Sequence, residues 1–360
     1  MTNTNWHCIG LMSGTSLDGV DLAYVKFSLD KGYKFEILQT ESTPYSEKWK
    51  KRLQHAFDEN GENLTALNVD YGRYLAKCVS EFKERFSLEK IDFLASHGHT
   101  IFHQPERGFT LQIGQGSVLA AETGLKVICD FRVQDVALGG QGAPLVPIGD
   151  DLLFAEYDFC LNLGGFANVS YREGEVRRAY DICPANIVLN HFTRRSGFEY
   201  DDGGRMASEG KLDKELLLEL NELPFYAMEH PKSLGYEFVV GTVLPIIEKY
   251  ELDLNSLLRT YAEHTAIQIS EVLNKAVEKE QIQEPSVLVT GGGAFNDFLI
   301  QRIDSHSSAE IVIPDREIIE FKEALIFAFL GLLKQQNEVN CLRSVTGAKK
   351  DHSSGVVYRV

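Results

Sequence analysis

Residues 9–27 read IGLMSGTSLDGVDLAYVKF, in which a glycine-framed turn of hydroxyl residues separates two apolar stretches. The flanks, residues 9–12 and 20–27, have the length and composition of strands, which predicts a β-hairpin. Glycines allow a close approach of the backbone, so N–H and hydroxyl groups in such a turn can converge on an anion. We therefore predict a phosphate-binding turn, with an ordinary Ser/Gly/Asp β-turn as the alternative. A Walker loop is excluded because no Gly-Lys-Ser/Thr triplet opens a helix here.

The remainder of the chain predicts an α/β protein with two lobes. Its 360 residues exceed the size of about 250–300 at which single cores stop growing. Short apolar runs alternate with amphipathic helical patterns, the longest of which cover residues 257–276 and 320–334. The glycine- and proline-rich segment 138–147 interrupts this pattern most clearly. We place the lobe boundary there, which gives lobes of residues 1–137 and 138–360.

The composition excludes several classes of function. The formal net charge of −16, from 36 basic and 52 acidic residues, argues against a nucleic-acid-binding surface. A transmembrane helix and a secretion signal are not expected, because long apolar runs and a basic N-terminal region are missing. The six cysteines are scattered and form no C-x-x-C pair, which favours a reducing cytoplasm.

Two further glycine-rich turns follow predicted strands. Residues 162–168, NLGGFAN, repeat the hairpin pattern of the first turn, and residues 290–296, TGGGAFN, lie between a strand and a helix. Gly291 and Gly293, with Asp315 after the next strand, loosely match a dinucleotide-binding fingerprint, although Asn296 stands in place of its third glycine. An NAD-dependent oxidoreductase is therefore an alternative to a phosphate-transferring enzyme.

Seven segments in consistent order give the chain a specific resemblance to a known family. They are residues 13–21 (SGTSLDGVD), 96–100 (SHGHT), 130–135 (DFRVQD), 139–147 (GGQGAPLVP), 162–168 (NLGGFAN), 291–296 (GGGAFN) and 344–348 (SVTGA). Together they resemble the anhydro-N-acetylmuramic acid kinase family. The resemblance implies a two-lobed, actin-like ATPase (ribonuclease H-like) fold with ATP in the interlobe cleft, and a homodimer. It implies an enzyme of cell-wall (peptidoglycan) recycling that uses ATP and Mg²⁺ to open the 1,6-anhydro ring of a small amino sugar and phosphorylate its O6.

The resemblance also assigns roles to residues, all numbered as in this sequence. The expected ATP-binding residues are Gly14, Thr15, Ser16, Leu17, Asp18, Gly19, Val20, Asp21, Gly164, Gly165, Gly291, Gly292, Gly293 and Asn296. Asp18 is also the expected Mg²⁺ holder, with an Asx-turn residue as the alternative. The expected sugar-binding residues are His97, Arg132, Asp135, Asn168, Asn186 and Glu323.

The expected catalytic base is Asp181, which opens the segment DICPAN where the family has DTGPGN. A carboxylate can accept a proton from water when it is aimed and desolvated; the alternative for Asp181 is a helix N-cap. The chain departs from the family pattern at Ile182, Cys183 and Ala185, and His99 stands where a glutamine is expected. These departures leave a second functional class open, a non-catalytic or regulatory actin-like nucleotide-binding protein.

Overall fold

The computed structural model describes residues 5–14 and 17–360. It divides into two compact units, one made of the residues up to Leu153 with Phe321–Val360 and the other of Phe154–Glu320. The predicted boundary at residues 137/138 differs from this division. Segment 138–147 lies within the first unit, where the Gly142 N–H donates to Asp135 Oδ2 (2.7 Å) and the Gln141 N–H to the Thr346 carbonyl (2.7 Å). Its glycines and prolines therefore form a bonded turn and not a linker.

Strands and helices alternate through both units. The strands are β1 (Asn5–Ser13), β2 (Gly19–Leu29), β3 (Tyr33–Pro44), β4 (Phe93–Gln104), β5 (Phe109–Ile113), β6 (Val127–Cys129), β7 (Phe159–Leu163), β8 (Phe166–Glu173), β9 (Val176–Pro184), β10 (Ser286–Thr290), β11 (Glu310–Val312) and β12 (Val356–Tyr358). The α-helices are α1 (Glu47–His55), α2 (Gly61–Arg85), α3 (Gly116–Thr123), α4 (Val133–Ala137), α5 (Pro147–Leu153), α6 (Asn186–Arg195), α7 (Arg205–Glu209), α8 (Lys214–Asn221), α9 (Tyr236–Phe238), α10 (Leu244–Ile247), α11 (Leu254–Glu280), α12 (Asp297–His306), α13 (Arg316–Gln336) and α14 (Arg343–Thr346).

The two units contain sheets of the same topology. The first sheet has the order β12-β6-β4-β1-β2-β3, with β5 paired to β4. In it β1, β2 and β3 form an antiparallel meander, and β4 and β6 follow parallel to β1. The second sheet has the order β11-β10-β7-β8-β9, again a meander of β7, β8 and β9 with β10 and β11 parallel to β7. Each unit therefore has the strand order and directions of a ribonuclease H-like fold, which confirms the predicted α/β class.

Helix α13 explains how the first sheet is covered on one face. Its residues Ala324–Leu330 are buried, as the apolar run in the sequence predicted. A Cβ atom at Gly10 of β1 would overlap the carbonyl oxygen of Ala324. Gly331 is also close to the sheet, because a Cβ there would lie 2.7 Å from the Ala95 Cβ on β4. Glycine thus lets the helix backbone approach the sheet closely.

The predicted long helix of the second unit is also present. Helix α11 begins after Asp253, whose side chain accepts a hydrogen bond from the Ser256 N–H, the usual arrangement of an N-cap. Leu258, Tyr261 and Ile269 of its apolar face are fully buried. Across the residues that the structure describes, none of the helices has the length and apolar character to span a membrane.

Candidate active site

The first glycine-rich turn connects β1 to β2, as predicted. The two strands are antiparallel, and Met12 pairs with Asp21 at the turn end of the hairpin. Leu17 has a φ of +62°, in the left-handed region that non-glycine residues adopt at a cost and often at ligand-binding turns. Asp18 is exposed, and its carbonyl accepts a hydrogen bond from the Tyr45 N–H (3.1 Å). The turn is thereby fixed at its base.

The expected ATP-binding residues of this turn differ in what they can offer a ligand. Gly14 is partly buried, and Thr15 and Ser16 lie outside the described residues. The Gly19 backbone packs against Thr43 of β3 too closely for a Cβ. The Val20 side chain is fully buried in the core, so only its backbone is available. The Asp21 carboxylate accepts a hydrogen bond from Ser42 Oγ (2.5 Å).

The second glycine-rich turn connects β7 to β8 and supports the start of α6. The Gly165 carbonyl accepts hydrogen bonds from the N–H groups of Ala185 (2.8 Å) and Ile187 (3.1 Å). The Asn186 side chain donates from Nδ2 to the Leu163 carbonyl (3.0 Å). Asn186 therefore joins the hairpin to the helix, and Gly164 and Gly165 leave the turn with little covering side-chain bulk.

The third turn lies against the second. Gly291 has a φ of +81°, and a Cβ there would overlap the Asn162 amide. A Cβ at Gly293 would be 2.6 Å from the Leu163 Cβ. Gly292 is exposed, with no atom within 4 Å of its Cβ position. Asn296 accepts a hydrogen bond from the Leu299 N–H (3.0 Å) as the N-cap of α12, so its buried side chain is already engaged.

A row of polar side chains crosses the second sheet beside these turns. Asn162 of β7 pairs with Asn168 of β8, and Asn168 pairs with Asp181 of β9. Residues directly opposite in an antiparallel pair share a face, with Cβ atoms about 4.5–5.5 Å apart. Thr290 of β10 pairs with Asn162 on its other side. The sheet thus sets one carboxylate beside two amides, all partly exposed.

A β-bulge brings Asp181 into this row. Ala167 pairs with Cys183, yet the next residue, Asn168, pairs with Asp181, so Ile182 is the extra residue. Without the bulge, the apolar residue Ile182 would pair with Asn168 in place of Asp181. The N-cap alternative for Asp181 is wrong, because Asp181 lies in the strand and Ala185 is the N-cap residue of α6.

Segment 232–234 holds the Asp181 carboxylate. The Leu234 N–H donates to Asp181 Oδ2 (2.8 Å), and the Asp181 N–H donates to the Lys232 carbonyl (3.2 Å). Burial raises the pKa of Asp181, and the hydrogen bond from Leu234 opposes this shift. The hydrogen bond from Leu234 engages Oδ2 of this carboxylate.

Three of the expected sugar-binding residues meet in the first unit. Arg132 Nε donates to His97 Nε2 (3.0 Å), so His97 Nδ1 carries the proton and donates to the Gly98 carbonyl (2.8 Å). Burial lowers the pKa of Arg132 to about 10, and the charge of Glu323 opposes this shift, so the guanidinium stays cationic at neutral pH. Glu323 is exposed one helical turn before Phe327, whose ring packs on His97 (centroids 4.6 Å apart). Burial also raises the pKa of Glu323, although part of its surface is accessible, and the charge of Arg132 opposes this shift.

Asp135 has a different environment from the other predicted sugar-binding residues. It is fully buried, its Oδ2 accepts from the Gly142 N–H, and its Oδ1 accepts from Thr346 Oγ1 (2.7 Å). Arg132 Nη1 donates to the Gly142 carbonyl (2.7 Å). The Asp135 carboxylate therefore bonds within the protein and holds the loop that supports Arg132, in place of the sugar contact that was expected.

His99 lies in a buried network beneath the first turn. Its Nδ1 is 2.8 Å from Ser13 Oγ, which is 2.6 Å from Tyr45 Oη, which in turn is 2.5 Å from Tyr71 Oη. Burial lowers the pKa of His99 to about 4, so it is neutral at physiological pH. The chain of hydrogen bonds anchors the end of β1 at the turn.

Sequence reasoning missed three features of the site. The β-bulge at Ile182 cannot be predicted from the residue pattern. Asn162 belongs to the NLGGFAN motif, but the sequence assigns no role to its side chain. The contact of Leu234 with Asp181 spans 53 positions. Only the polar identities of Asn162 and Asn168, flanking two glycines, could have suggested that both face one site.

A repeated ribonuclease H-like unit with a glycine-rich turn in the same hairpin of each copy is the organisation of the actin-like ATPases and sugar kinases. Residues 6–360 match the family model described as anhydro-N-acetylmuramic acid kinase, and the chain belongs to that family. It is 36% identical over 373 residues to an anhydro-N-acetylmuramic acid kinase of Mannheimia succiniciproducens, covering 97% of this chain and 98% of that protein. It is 33% identical to one of Caldanaerobacter subterraneus subsp. tengcongensis, covering 95% and 94%.

Among solved structures, the activator of 2-hydroxyisocaproyl-CoA dehydratase from Clostridium difficile is similar at 12% identity, with a TM-score of 0.44. That similarity covers 92% of this chain and 97% of the activator. Membership of the kinase family does not support the oxidoreductase alternative.

Proposed function

We propose that this chain is an ATP-dependent kinase that opens the 1,6-anhydro ring of 1,6-anhydro-N-acetylmuramic acid and phosphorylates its O6, yielding N-acetylmuramic acid 6-phosphate for cell-wall recycling. Its family and its near full-length relatives support the proposal. The observation that carries it is the placement of Asp181, a half-buried carboxylate opposite Asn168, with one oxygen engaged by the Leu234 N–H.

Asp181 is the proposed general base. Its Oδ1 accepts a proton from water, the water oxygen bonds to the anomeric carbon, and the bond from that carbon to O6 breaks. O6 then bonds to the γ-phosphorus of ATP as the bond to ADP breaks. A raised pKa increases the basicity of the carboxylate, and the Leu234 N–H fixes its orientation. Asn162 and Asn168 supply amide groups that can bind sugar hydroxyls on the same sheet face.

The glycine-rich turns are the proposed ATP-binding elements. Asp18, Gly165 and Gly292 are exposed, which leaves backbone in each of the three turns accessible to a ligand, and phosphate binding uses converging N–H groups. Asn296 is proposed to contribute indirectly, because as the N-cap of α12 it fixes the end of the third turn. Alanine at Gly292, where the Cβ position is open, tests ligand contact without disturbing packing.

Asp18 fits the proposed Mg²⁺ site by its donor chemistry. It is an exposed carboxylate at the phosphate-binding turn, and Mg²⁺ keeps several waters and needs few protein carboxylates. Bound Mg²⁺ would neutralise charge on the phosphate oxygens during transfer. The chain's own part is to hold Asp18 at the turn, through the hydrogen bond of its carbonyl with Tyr45.

Arg132 is the proposed partner of the lactyl carboxylate of the sugar. Its charge is fixed in place by His97 and by the Gly142 carbonyl, and a guanidinium binds carboxylates bidentately. Glu323, exposed nearby, is a proposed acceptor for sugar hydroxyls. Asn186 and Asp135 are proposed to act by positioning, because their polar atoms already bond within the protein.

The direct experiment incubates the protein with MgATP and 1,6-anhydro-N-acetylmuramic acid and detects the 6-phosphosugar by mass spectrometry. Asp181→Asn is expected to keep ATP affinity and to lower turnover by roughly 10²- to 10⁴-fold, the usual contribution of a positioned base. Asp304→Asn, at an exposed position on α12, is the matched control with unchanged turnover. Equal turnover in Asp181→Asn would show that the base lies elsewhere.

The altered loop around Asp181 keeps the non-catalytic nucleotide-binding alternative as the second candidate. Ile182, Cys183 and Ala185 are all buried, so the departures from the family pattern change packing beneath the loop and expose no new polar group. ATP binding without any phosphosugar product would favour this alternative over the kinase.

A cytoplasmic location is also proposed. None of the six cysteines forms a disulfide, and all are buried, as expected for a protein that folds in a reducing compartment. A homodimer is proposed from the family resemblance alone, and light scattering of the purified protein measures it.

A further inference from the structure

Three side chains from distant parts of the sequence meet in the interior of the first unit. Asp135, Cys341 and His352 are 0%, 1% and 6% exposed. One oxygen, sulfur or nitrogen atom of each lies within 4.8 Å of the other two. Cys341 Sγ is 3.0 Å from Asp135 Oδ1, and His352 Nε2 is 3.7 Å from the same oxygen. In the proposed kinase Asp135 only positions the loop that supports Arg132, and Cys341 and His352 have no proposed role.

The hydrogen bonds of His352 leave one ring nitrogen unsatisfied. Its Nδ1 is 3.1 Å from the Lys350 carbonyl, an acceptor, so Nδ1 carries the proton of the neutral ring. Nε2 then has a lone pair, is buried, and has no hydrogen-bond partner among the described residues. A buried lone pair facing a carboxylate oxygen is unfavourable without a cation or proton between them.

We infer that Asp135, Cys341 and His352 form a Zn²⁺ site. Thiolate, imidazole and carboxylate are the ligand types that zinc binds, at about 2.0–2.3 Å each. Ligands at those lengths around a tetrahedral ion are about 3.3–3.8 Å apart. The 3.0 Å separation of Cys341 Sγ and Asp135 Oδ1 would therefore lengthen slightly on binding, and the 3.7 Å separation of His352 Nε2 and Asp135 Oδ1 is already within this range. On binding, the Cys341 thiol loses its proton to solvent, and no electron is transferred. A water or the Thr346 hydroxyl, 2.7 Å from Asp135 Oδ1, completes the coordination.

The backbone already holds two of the ligands in register. Cys341 and His352 form an antiparallel bridge in which the N–H of each residue donates to the carbonyl of the other (3.1 Å in both cases). Their side chains therefore share one side of the bridge, with Asp135 of α4 opposite. Little conformational freedom is lost when such a site binds its ion.

Zinc binding would restrain the loop that supports Arg132. The ion would fasten segment 341–352 to Asp135, whose second oxygen holds the Gly142 N–H. Gly142 in turn accepts from Arg132. The inference is independent of the kinase proposal, since it concerns stability and metal content.

The first test measures metal in the full-length wild-type protein, purified without chelators or metal-affinity resin. Mass spectrometric metal analysis is expected to give about one zinc per chain. Replacement by Co²⁺ is expected to give the visible absorption of tetrahedral cobalt with a thiolate-to-cobalt charge-transfer band. Absence of both zinc and the charge-transfer band in the wild-type protein overturns the inference, whatever the variants do.

The second test assigns the ligands. Cys341→Ser and His352→Ala are each expected to weaken Co²⁺ affinity at least about 100-fold, the upper range for losing a supporting group around a metal. Cys8→Ala, which removes another buried thiol of the same unit, is the control with unchanged affinity. Unchanged affinity and spectrum in Cys341→Ser overturn the assignment; circular dichroism of each variant confirms that it is folded.

Discussion

At the scale of single residues, Asp181 shows how the second sheet sets the position and the environment of a side chain. The side chain is placed by a bulge, held by a backbone N–H and partly removed from water. Each of these acts on the same carboxylate: the bulge selects its position, the N–H selects its free oxygen, and burial increases its basicity. Neither the sequence pattern nor the family motif shows any of the three.

The pKa shift of Asp181 predicts a pH dependence of catalysis. Burial raises its pKa above the ordinary 3.8, so the base becomes protonated at a higher pH than an exposed aspartate. We expect kcat/KM to fall as pH falls through that raised pKa, and the acid limb to have a midpoint above 3.8. Initial rates between about pH 4 and pH 8, with folding monitored in parallel, measure the limb. A midpoint at or below 3.8 would contradict the assignment.

Arg132 gives a second prediction at the residue scale. Arg132→Lys keeps the charge but loses the fork that engages both His97 and the Gly142 carbonyl. We expect KM for the sugar to rise by about tenfold or more, with KM for ATP little changed. Arg172→Lys, at an exposed position in β8, serves as the control. A rise confined to the ATP KM would mean that Arg132 does not bind the sugar.

At the scale of elements, the glycines at crossing points matter more than those in turns. Gly10 of β1 meets the Ala324 carbonyl of α13, and Gly331 of α13 meets Ala95 of β4. The sequence correctly predicted the strand and the buried helix, because their apolar patterns are local. It could not show that the two touch at Gly10, since that contact joins residues more than 300 positions apart.

Gly10→Ala is therefore expected to destabilise the protein. The new Cβ would overlap the Ala324 carbonyl oxygen, which is backbone and cannot move aside as a side chain can. We expect a loss of about 1–3 kcal/mol in the free energy of unfolding, as for other overpacked cores. Gly32→Ala, in the turn after β2 with nothing within 4 Å, is the matched control. Thermal unfolding of both variants measures this loss, and equal melting temperatures of Gly10→Ala and Gly32→Ala would contradict the close contact at Gly10.

Helices α11 and α12 are joined by an ion cluster centred on Glu263. Its carboxylate accepts from Arg302 Nε (2.7 Å) and lies 2.8 Å from His306 Nε2, while Arg259 is 3.0 Å away. Burial raises the pKa of Glu263, but the hydrogen bonds and charges of these partners outweigh burial and hold it at about 2. A depressed pKa contributes stability above the ordinary value of 4.5, which is lost as pH falls toward 2.

Glu263→Gln should therefore cost roughly 3 kcal/mol of unfolding free energy at pH 7, from the pKa difference between 4.5 and about 2. The difference from wild type should shrink between about pH 4.5 and pH 2, as the wild-type carboxylate becomes protonated. Glu271→Gln, an exposed residue of the same helix, should change stability by less than about 0.5 kcal/mol. Urea unfolding at both pH values measures this, and a pH-independent difference would contradict the electrostatic origin.

For the molecule as a whole, the sequence predicted the architecture better than the boundaries. Chain length and the family resemblance predicted two α/β lobes, and five strands of each sheet follow the same order. The predicted boundary at residue 137 differs from the end of the first unit's N-terminal segment at Leu153. Glycine and proline indicate a turn, but they do not show whether the chain leaves the unit after it. The site residues followed from motifs, whereas the buried role of Asp135 needed its partners at Thr346 and Gly142.

The burial of every cysteine gives a prediction for the whole protein. All six cysteines are buried thiols that form no disulfide, and they lie in both units. We expect a thiol reagent such as Ellman's to label none of them rapidly in the native protein and all six after denaturation. Rapid labelling of a thiol under native conditions would indicate that its unit opens locally. Fewer than six thiols after denaturation without reductant would reveal a disulfide.

The chain enters the first unit, leaves it at Leu153 and returns at Phe321, whereas the second unit is one uninterrupted segment. During synthesis, the ribosome therefore completes the second unit before it has made most of α13 and all of β12, which the first sheet needs. The first residues to be synthesised are covered by the last ones, so we expect the apolar sheet face around Gly10 to stay uncovered until α13 has been made. We expect nascent chains stalled after residue 320 to protect the second unit from protease but not the first.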